Sequence, residues 1–143
     1  MVSLIVGHKG TGKTKTMIDL ANTRAKNSDG HIVFINKNQR LMYDLIHQIR
    51  IVSMEDFDDI TNSDEYIGFL YGIISSDHDI EAIFVDSILK HADVSKEDIP
   101  EFLARLKVIS EQHDLDFIVS LSADLEELSG EVRDFDLIKS YGS

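Results

Sequence analysis

The chain has 143 residues, of which 43% are apolar and 28% charged, and this size and composition predict one globular domain over residues 1–143. It has no cysteine, which excludes disulfides, a thiolate nucleophile and cysteine-based zinc sites and favours a reducing, cytoplasmic location. Its 26 acidic and 14 basic residues give a net charge of −12, which argues against nucleic acid as a partner. No apolar run is long enough for a membrane span.

The first two predicted elements are a short apolar strand at Val2–Val6 and a helix from Lys13 to about Lys26. Residues 7–14, which join them, match the pattern G-x-x-x-x-G-K-[ST] without a mismatch. Glycine permits backbone angles that a Cβ forbids, so successive N–H groups of such a loop can turn toward one anion. The pattern therefore predicts a phosphate-binding loop, with contacts from Gly7, His8, Lys9, Gly10, Thr11, Gly12, Lys13, Thr14 and Lys15.

Two side chains of this loop have predicted roles of their own. Lys13 supplies a positive charge for the β- and γ-phosphates, and the Thr14 hydroxyl is the expected ligand of Mg²⁺. The helix that begins near Lys13 adds the positive end of its dipole. The alternative is a glycine-rich turn that only connects a strand to a helix.

Two acidic segments lie in the middle of the chain. Glu55–Asp59 contains three aspartates and one glutamate, which we interpret as a solvated turn, with a metal site as the alternative. The connector Asp77–Asp79 has the composition of a metal site but no second histidine at helical spacing, which argues against a metal there. The predicted elements of this region are a strand at His31–Ile35, a helix at Gln39–Ile49, a very short strand at Ile51–Val52 and a helix opened by Asn62.

An apolar strand at Ile80–Val85 is followed by Asp86. A carboxylate in this place, roughly seventy residues after a phosphate loop, is typical of a residue that holds Mg²⁺ through water. An ordinary turn residue at a strand end is the alternative for Asp86. The remaining predicted elements are a helix after Asp98, a strand at Leu115–Leu121, a short helix at Ser122–Leu128 and a last strand at Phe135–Lys139. Because strands alternate with helices, we predict an α/β protein: a three-layer α/β/α sandwich with a mainly parallel five-stranded sheet.

The loop at residues 7–14 and the segment Ile83–Ser87 resemble the P-loop NTPase superfamily, in particular its RecA-like branch of ATPases. The resemblance implies the P-loop NTPase fold, with strand order 5-1-4-3-2 and the nucleotide at the carboxyl ends of the strands. It implies ATP, or another NTP, and Mg²⁺ as cofactors. It also implies that Ser120 or Ser122, at the end of the strand before the last, senses the γ-phosphate. Ordinary cap and strand-end hydroxyls are the alternative.

Hydrolysis needs a group that orients or deprotonates the attacking water. Many relatives carry a glutamate directly after the strand-end aspartate, but this chain has Ser87 there. Others use a glutamate just beyond the second strand, where this chain has Asn36–Asn38 and no carboxylate. Glu55, in the acidic turn, is the remaining candidate for a catalytic base.

Three functions stay open on the sequence alone. The first is a slow ATPase that is stimulated by a protein partner or by homo-oligomer formation. The second is a module that binds nucleotide without hydrolysis, with the Asn62–Ser75 helix and the acidic surface as its contact surfaces. The third, a small-molecule or nucleotide kinase, is disfavoured because the chain has only five scattered arginines.

Overall fold

The computed structural model describes residues 1–8, 10–40, 43–86, 94–123 and 135–140. Two single turns of 3₁₀ helix, Met54–Asp56 and Lys96–Asp98, lie between its longer elements. In chain order these elements are β1 (Val2–Val6), α1 (Lys13–Lys26), β2 (His31–Asn36), β3 (Ile49–Ser53), α2 (Ser63–Ser76), β4 (Ile80–Val85), α3 (Ile99–His113), β5 (Asp116–Leu121) and β6 (Asp136–Ser140).

The strands form one sheet of six in the order β3-β2-β4-β5-β1-β6, and all neighbouring pairs are parallel. With β3 left out, this is the predicted order 5-1-4-3-2, so the predicted fold is confirmed. The sheet has one strand more than the five predicted. Ile49–Ser53 pairs with β2 from Ile32↔Ile49 to Asn36↔Ser53, where the sequence indicated only a very short strand.

Two apolar cores lie on opposite faces of the sheet, because successive side chains of a strand point to opposite sides. On β1, Leu4 and Val6 face the core under α2 and α3, whereas Ile5 faces the core under α1. Phe34 and Phe84 stack on the α1 side with their ring centroids 6.0 Å apart. This arrangement confirms the three layers, and each fully buried Leu, Ile or Phe contributes about 1.5–3 kcal/mol to stability.

The helix predicted at Gln39–Ile49 is wrong for the described part of that segment. Residues 43–48 form turns, and Ile49 already belongs to β3. The backbone of this segment is hydrogen-bonded to a side chain of α1. Asn22 Nδ2 donates to the carbonyl of Asp44 at 2.9 Å, and Asn22 Oδ1 accepts from the N–H of Ile46 at 2.9 Å. Leu45 is still buried, so the apolar stripe of this segment packs on α1 without being helical.

The predicted short helix at Ser122–Leu128 lies mostly outside the described residues, and Ser122 and Ala123 form a bend. The predicted last strand is present, at Asp136–Ser140. In the described part of the chain, no helix combines the length and the hydropathy needed to cross a lipid bilayer.

Arg24, near the end of α1, ties this helix to the amino ends of two strands. Its Nε pairs with Glu81 Oε1 at 2.9 Å and its Nη2 pairs with Asp116 Oδ2 at 2.6 Å. Partial burial by itself would raise the pKa of the Asp116 carboxyl, but hydrogen bonds from Arg24 and from the Met1 amino group lower it. The end of α1 is thereby held at the amino edge of the sheet, so its first turn lies at the carboxyl edge.

Asn22→Ala tests the account of residues 43–48. The substitution removes two side-chain hydrogen bonds to that backbone, and we expect a loss of about 1–2 kcal/mol in the free energy of unfolding, measured by urea denaturation. Thr23→Ala, at an exposed neighbouring position, is the control and should change stability by less than about 0.5 kcal/mol. Equal effects of the two variants would contradict the account.

Tyr66 offers a second stability test. Its side chain is fully buried, and its hydroxyl is the buried side-chain group that lacks a hydrogen-bond partner among the described residues. Because an unsatisfied buried hydroxyl is costly, Tyr66→Phe should raise the free energy of unfolding by about 1 kcal/mol in urea denaturation. The exposed Tyr71→Phe is the control. Destabilisation by Tyr66→Phe would mean that the hydroxyl has a partner in solution.

Candidate functional site

The site is built at the carboxyl edge of the sheet, where β1 passes into a loop and then into α1. The N–H of Gly7 donates to the carbonyl of Leu121 at 3.1 Å, which fastens the start of the loop to the end of β5. The loop closes where Gly12 caps the first turn of α1. The first turn of α1 therefore points its N–H groups into the space above β1, as anion binding requires.

The loop has the backbone shape that its glycines predict. Gly10 and Gly12 have φ angles of +85° and +96°, in the left-handed region where a residue with a Cβ is strained. The loop closes on the carbonyl of His8, which accepts from Thr11 Oγ1 at 2.7 Å and from Lys13 Nζ at 2.7 Å. Lys13 is only 6% exposed. An ammonium group with three donors is thus held at the mouth of the loop.

Asp86, directly after β4, is the most heavily bonded acidic group of the site. Its Oδ2 accepts from Thr14 Oγ1 at 3.0 Å and its Oδ1 accepts from Ser120 Oγ at 2.6 Å. The carboxyl is 3% exposed, and a carboxylate at that depth is tolerated only when such hydrogen bonds compensate its lost hydration. Thr14 is on α1, Asp86 directly follows β4 and Ser120 is on β5, so the three residues connect the phosphate loop to the centre of the sheet. We call them the Asp86 cluster.

The donor set of the Asp86 cluster fits Mg²⁺. The Thr14 hydroxyl gives its hydrogen to Asp86, which leaves the lone pairs of its oxygen for a cation. Mg²⁺ prefers oxygen ligands, keeps several waters, and commonly reaches one carboxylate through water. Thr14 would therefore hold the ion directly, and Asp86 would hold it through water.

The remaining predicted residues are placed as follows. Ser122 follows β5 and lies beside Gly7, because Val6 pairs with Leu121. The side chains of His8 and Lys15 are exposed, and Lys9 lies outside the described residues. Glu55 is exposed on the turn after β3, where its N–H donates to the carbonyl of Lys37 at 3.0 Å. Since β3 is two strands from β4, the strand ends that precede Glu55 and Asp86 are about 10 Å apart across the sheet.

A row of four buried polar side chains extends the site, and sequence reasoning missed two of its members, Asn36 and Ser53. Ser53, Asn36, Asp86 and Ser120 lie at the same level near the carboxyl ends of four neighbouring strands. They are 4%, 8%, 3% and 0% exposed. Each of them is two residues beyond a strand side chain that belongs to the α1 core. Side chains two positions apart on a strand point to the same face, so the row lies on the α1 side of the sheet. A polar residue that ends each of several apolar strands is the signal that could have found the row.

A second polar cluster lies at the opposite edge of the sheet. His31 Nδ1 pairs with Asp77 Oδ2 at 2.7 Å, and possible ligand atoms of His31, Asp77 and Asp79 lie within 4.8 Å of one another. The hydrogen bond to Asp77 raises the pKa of the His31 imidazole and lowers the pKa of the Asp77 carboxyl. The sequence could not predict this pair, because 46 positions separate the two residues. His31 is exposed and Asp77 is partly exposed, so the contact is an ion pair at the surface.

Solved structures of two archaeal proteins are similar to this chain. A KaiC-like protein of the hyperthermophile Pyrococcus horikoshii OT3 superposes with a TM-score of 0.66 at 20% identity, over 93% of this chain and 66% of that protein. The flagellar accessory protein FlaH of Methanocaldococcus jannaschii superposes with a TM-score of 0.60 at 14% identity, over 96% of this chain and 70% of that protein. The chain therefore spans about two thirds of the length of these proteins and shares their fold.

No curated protein matches the chain in sequence. A family model described as RNA helicase matches residues 3–80, which include β1, the phosphate loop, α1 and the strands up to the start of β4. The match covers more than half of the 143 residues. Together with the loop geometry and the strand order, it shows that the chain belongs to this RNA helicase family and, with it, to the P-loop NTPase superfamily.

Proposed function

We propose that the chain binds ATP, or another NTP, together with Mg²⁺ at residues 7–14, and that it hydrolyses the nucleotide slowly unless a partner stimulates it. The observation that carries this proposal is the Asp86 cluster. It joins the hydroxyl of Thr14 to a buried carboxylate directly beside a loop whose glycines have left-handed angles. A turn that only connected β1 to α1 would need neither the buried carboxylate nor the buried lysine.

Different residues of the site bind different parts of a triphosphate and its Mg²⁺. The backbone N–H groups of the loop and the first turn of α1 bind phosphate oxygens, and Lys13 adds a point charge. Thr14 and Asp86 hold Mg²⁺, which neutralises charge on the β- and γ-phosphates when it is bound. Ser120 positions Asp86 through its 2.6 Å hydrogen bond and fixes the direction of the carboxylate. Stabilisation of charge is most of what phosphoryl transfer asks of a protein.

The chemistry of the buried row is the reason for proposing that hydrolysis is slow. Of its four members, Asp86 is the only carboxylate, and both of its oxygens accept hydroxyl hydrogens. Asn36, Ser53 and Ser120 are buried, and each side chain already donates a hydrogen bond within the protein. Amides and hydroxyls are also poor proton acceptors at neutral pH. A chain whose row lacks a free base would hydrolyse nucleotide slowly and would gain speed from a group supplied by a partner or by another copy.

A second candidate is a nucleotide-binding interaction module that does not hydrolyse. Phe57 and Tyr71 are 42% and 41% exposed, and such aromatic side chains on the surface favour a protein partner. Phosphate release separates the two candidates, since only the ATPase releases phosphate from bound ATP. A kinase would release little phosphate without an acceptor and would transfer it when small-molecule or nucleotide acceptors are added.

The family match raises RNA as a stimulating partner. Phosphate neutralisation by a protein needs clustered basic residues, and a net charge of −12 opposes it. We therefore expect phosphate release to be unchanged by added single-stranded RNA at physiological salt. Strong stimulation by RNA would replace this part of the proposal with RNA-coupled hydrolysis.

The proposal is tested first by calorimetric titration of Mg–ATP into the purified protein, followed by phosphate release on the same sample. Binding with slow release supports the ATPase, and binding without release supports the interaction module. The absence of binding in both the monomer and any assembled form would overturn the proposal.

Lys13→Ala should weaken ATP binding by roughly a hundredfold in this titration, because it removes a buried charge that pairs with phosphate. The melting temperature should stay near that of the wild type. Lys26→Ala, at the far end of α1, is the matched control and should bind like the wild type. Wild-type affinity in Lys13→Ala would refute the assignment of the loop.

Asp86→Asn should weaken binding about tenfold or more with Mg²⁺ present, and by less than about twofold in EDTA. The reason is that an amide keeps the size of the side chain but removes the charge that holds the ion. Asp19→Asn, exposed on α1, is the control. Equal losses with and without Mg²⁺ would mean that Asp86 does not serve the metal.

A further inference from the structure

A groove of about 410 Å³ runs along the edge strand β3, at the end of the sheet away from β1. Because a strand points alternate side chains to opposite faces, a groove lined by four consecutive residues follows the backbone edge of the strand. One wall is β3 and the other is α2, and the turn after β3 closes one end. The lining residues are Arg50, Ile51, Val52, Ser53, Asp56, Phe57, Phe69, Gly72, Ile73 and Ser76.

The edge of β3 carries backbone groups for another strand. Among the described strands, β3 pairs only with β2, through the register from Ile49 to Ser53. In a parallel ladder, alternate residues direct their N–H and C=O groups to opposite sides of the strand. The outward half of these groups faces the groove, which makes β3 a template for an added strand.

The floor and ends of the groove define the chemistry of what fits. Phe57 is 42% exposed and its ring packs on that of Phe69 with centroids 5.0 Å apart, so an apolar surface is already assembled. At the end after β3 lies the exposed acidic turn Glu55–Asp59, of which Asp56 lines the groove. At the other end the exposed Arg50 lines it. The groove is apolar in the middle, negative at one end and positive at the other.

We propose that this groove binds an extended peptide segment of a partner protein, which adds to the sheet as a strand on β3. The segment carries an apolar side chain against Phe57 and Phe69 and a basic side chain beside Asp56. Backbone hydrogen bonds to β3 supply affinity, and the two side chains supply specificity. This site shares Ser53 with the buried row but contains none of residues 7–14, and it does not depend on nucleotide binding there.

A peptide of another protein fits the groove better than a second copy of this chain. Each copy carries a net charge of −12, which opposes the approach of two copies. The acidic turn favours a basic partner. A second copy would instead present the same exposed acidic turn near its own groove. Charge complementarity therefore favours a segment with lysine or arginine.

Two glycines of α2 provide a matched pair of variants. An added Cβ at Gly72, which lines the groove, or at Gly68, one turn earlier and not among the lining residues, would have no atom within 4 Å. Both positions are helical, so leucine at either one should also favour the helix. Gly72→Leu fills the groove, and Gly68→Leu adds the same side chain beside it.

The probe is a phage-displayed library of random peptides, selected on the wild-type protein. We expect the selected peptides to combine an apolar residue with a basic residue, and synthetic copies to bind Gly68→Leu like the wild type. In fluorescence anisotropy, the peptides should bind Gly72→Leu at least about tenfold more weakly than the wild type. Asp56→Asn should also weaken binding, and this loss of affinity should become smaller as the salt concentration rises. Backbone amides of β3 should become protected from hydrogen exchange when the peptide binds.

Three outcomes would overturn the proposal. The first is that selection yields no peptide, and the second is that the selected peptides bind Gly72→Leu as tightly as the wild type. The third is that sedimentation shows a wild-type dimer which Gly72→Leu alone dissolves, since a second copy would then occupy the groove. Circular dichroism and melting temperature on both leucine variants establish that they are folded.

Discussion

The buried carboxylate of Asp86 is the constraint on which the rest of the site depends. At 3% exposure it must be compensated, and the compensation comes from hydroxyls on two other elements, Thr14 on α1 and Ser120 on β5. A group that would be costly alone therefore holds three elements in register. The same contacts hold the first turn of α1 beside the carboxyl ends of β4 and β5.

The parallel sheet explains why these groups meet at one edge. All neighbouring strands run in the same direction, so their last residues lie at one edge, and each polar residue there is one strand from the next. The opposite edge has its own polar contacts, in which Arg24 binds Glu81 and Asp116. With one end of α1 held there, the helix dipole is directed along the strands toward the phosphate loop.

The features that sequence reasoning predicted are those that a short stretch of chain determines. The glycine spacing at 7–14 predicts left-handed angles, and Gly10 and Gly12 have them. Asp86 is indicated by the apolar run that leads directly to it, and the alternation of helices with strands predicts a parallel sheet, whereas the strand order was implied only by the resemblance to the P-loop NTPases. Ser120 was predicted as a polar strand end, but its bond to Asp86 depends on which strands are neighbours.

What sequence reasoning missed depends on contacts between distant segments. The stripe at residues 39–49 has helical spacing, yet its backbone bonds to Asn22 on α1, and its last residue joins the ladder with β2. No local sequence pattern indicates that these distant contacts prevail over the helix. The row of Ser53 and Asn36 beside Asp86 has the same origin, since its members are far apart in the chain and meet only through the order of the strands.

The acidity of the chain and its phosphate loop are compatible because they act over different distances. At physiological ionic strength, exposed charges are largely screened beyond about 8 Å, so most of the 26 carboxylates contribute little at the loop. Lys13 and the loop N–H groups act at hydrogen-bond distance, where screening is weak. The remaining negative field of the protein still repels a free triphosphate. A divalent cation that is already bound to the triphosphate cancels two of its negative charges and so reduces this repulsion. A strongly acidic P-loop protein should therefore depend on Mg²⁺ for affinity more than a basic one, and under the proposed function Thr14 and Asp86 are the residues that would hold the ion.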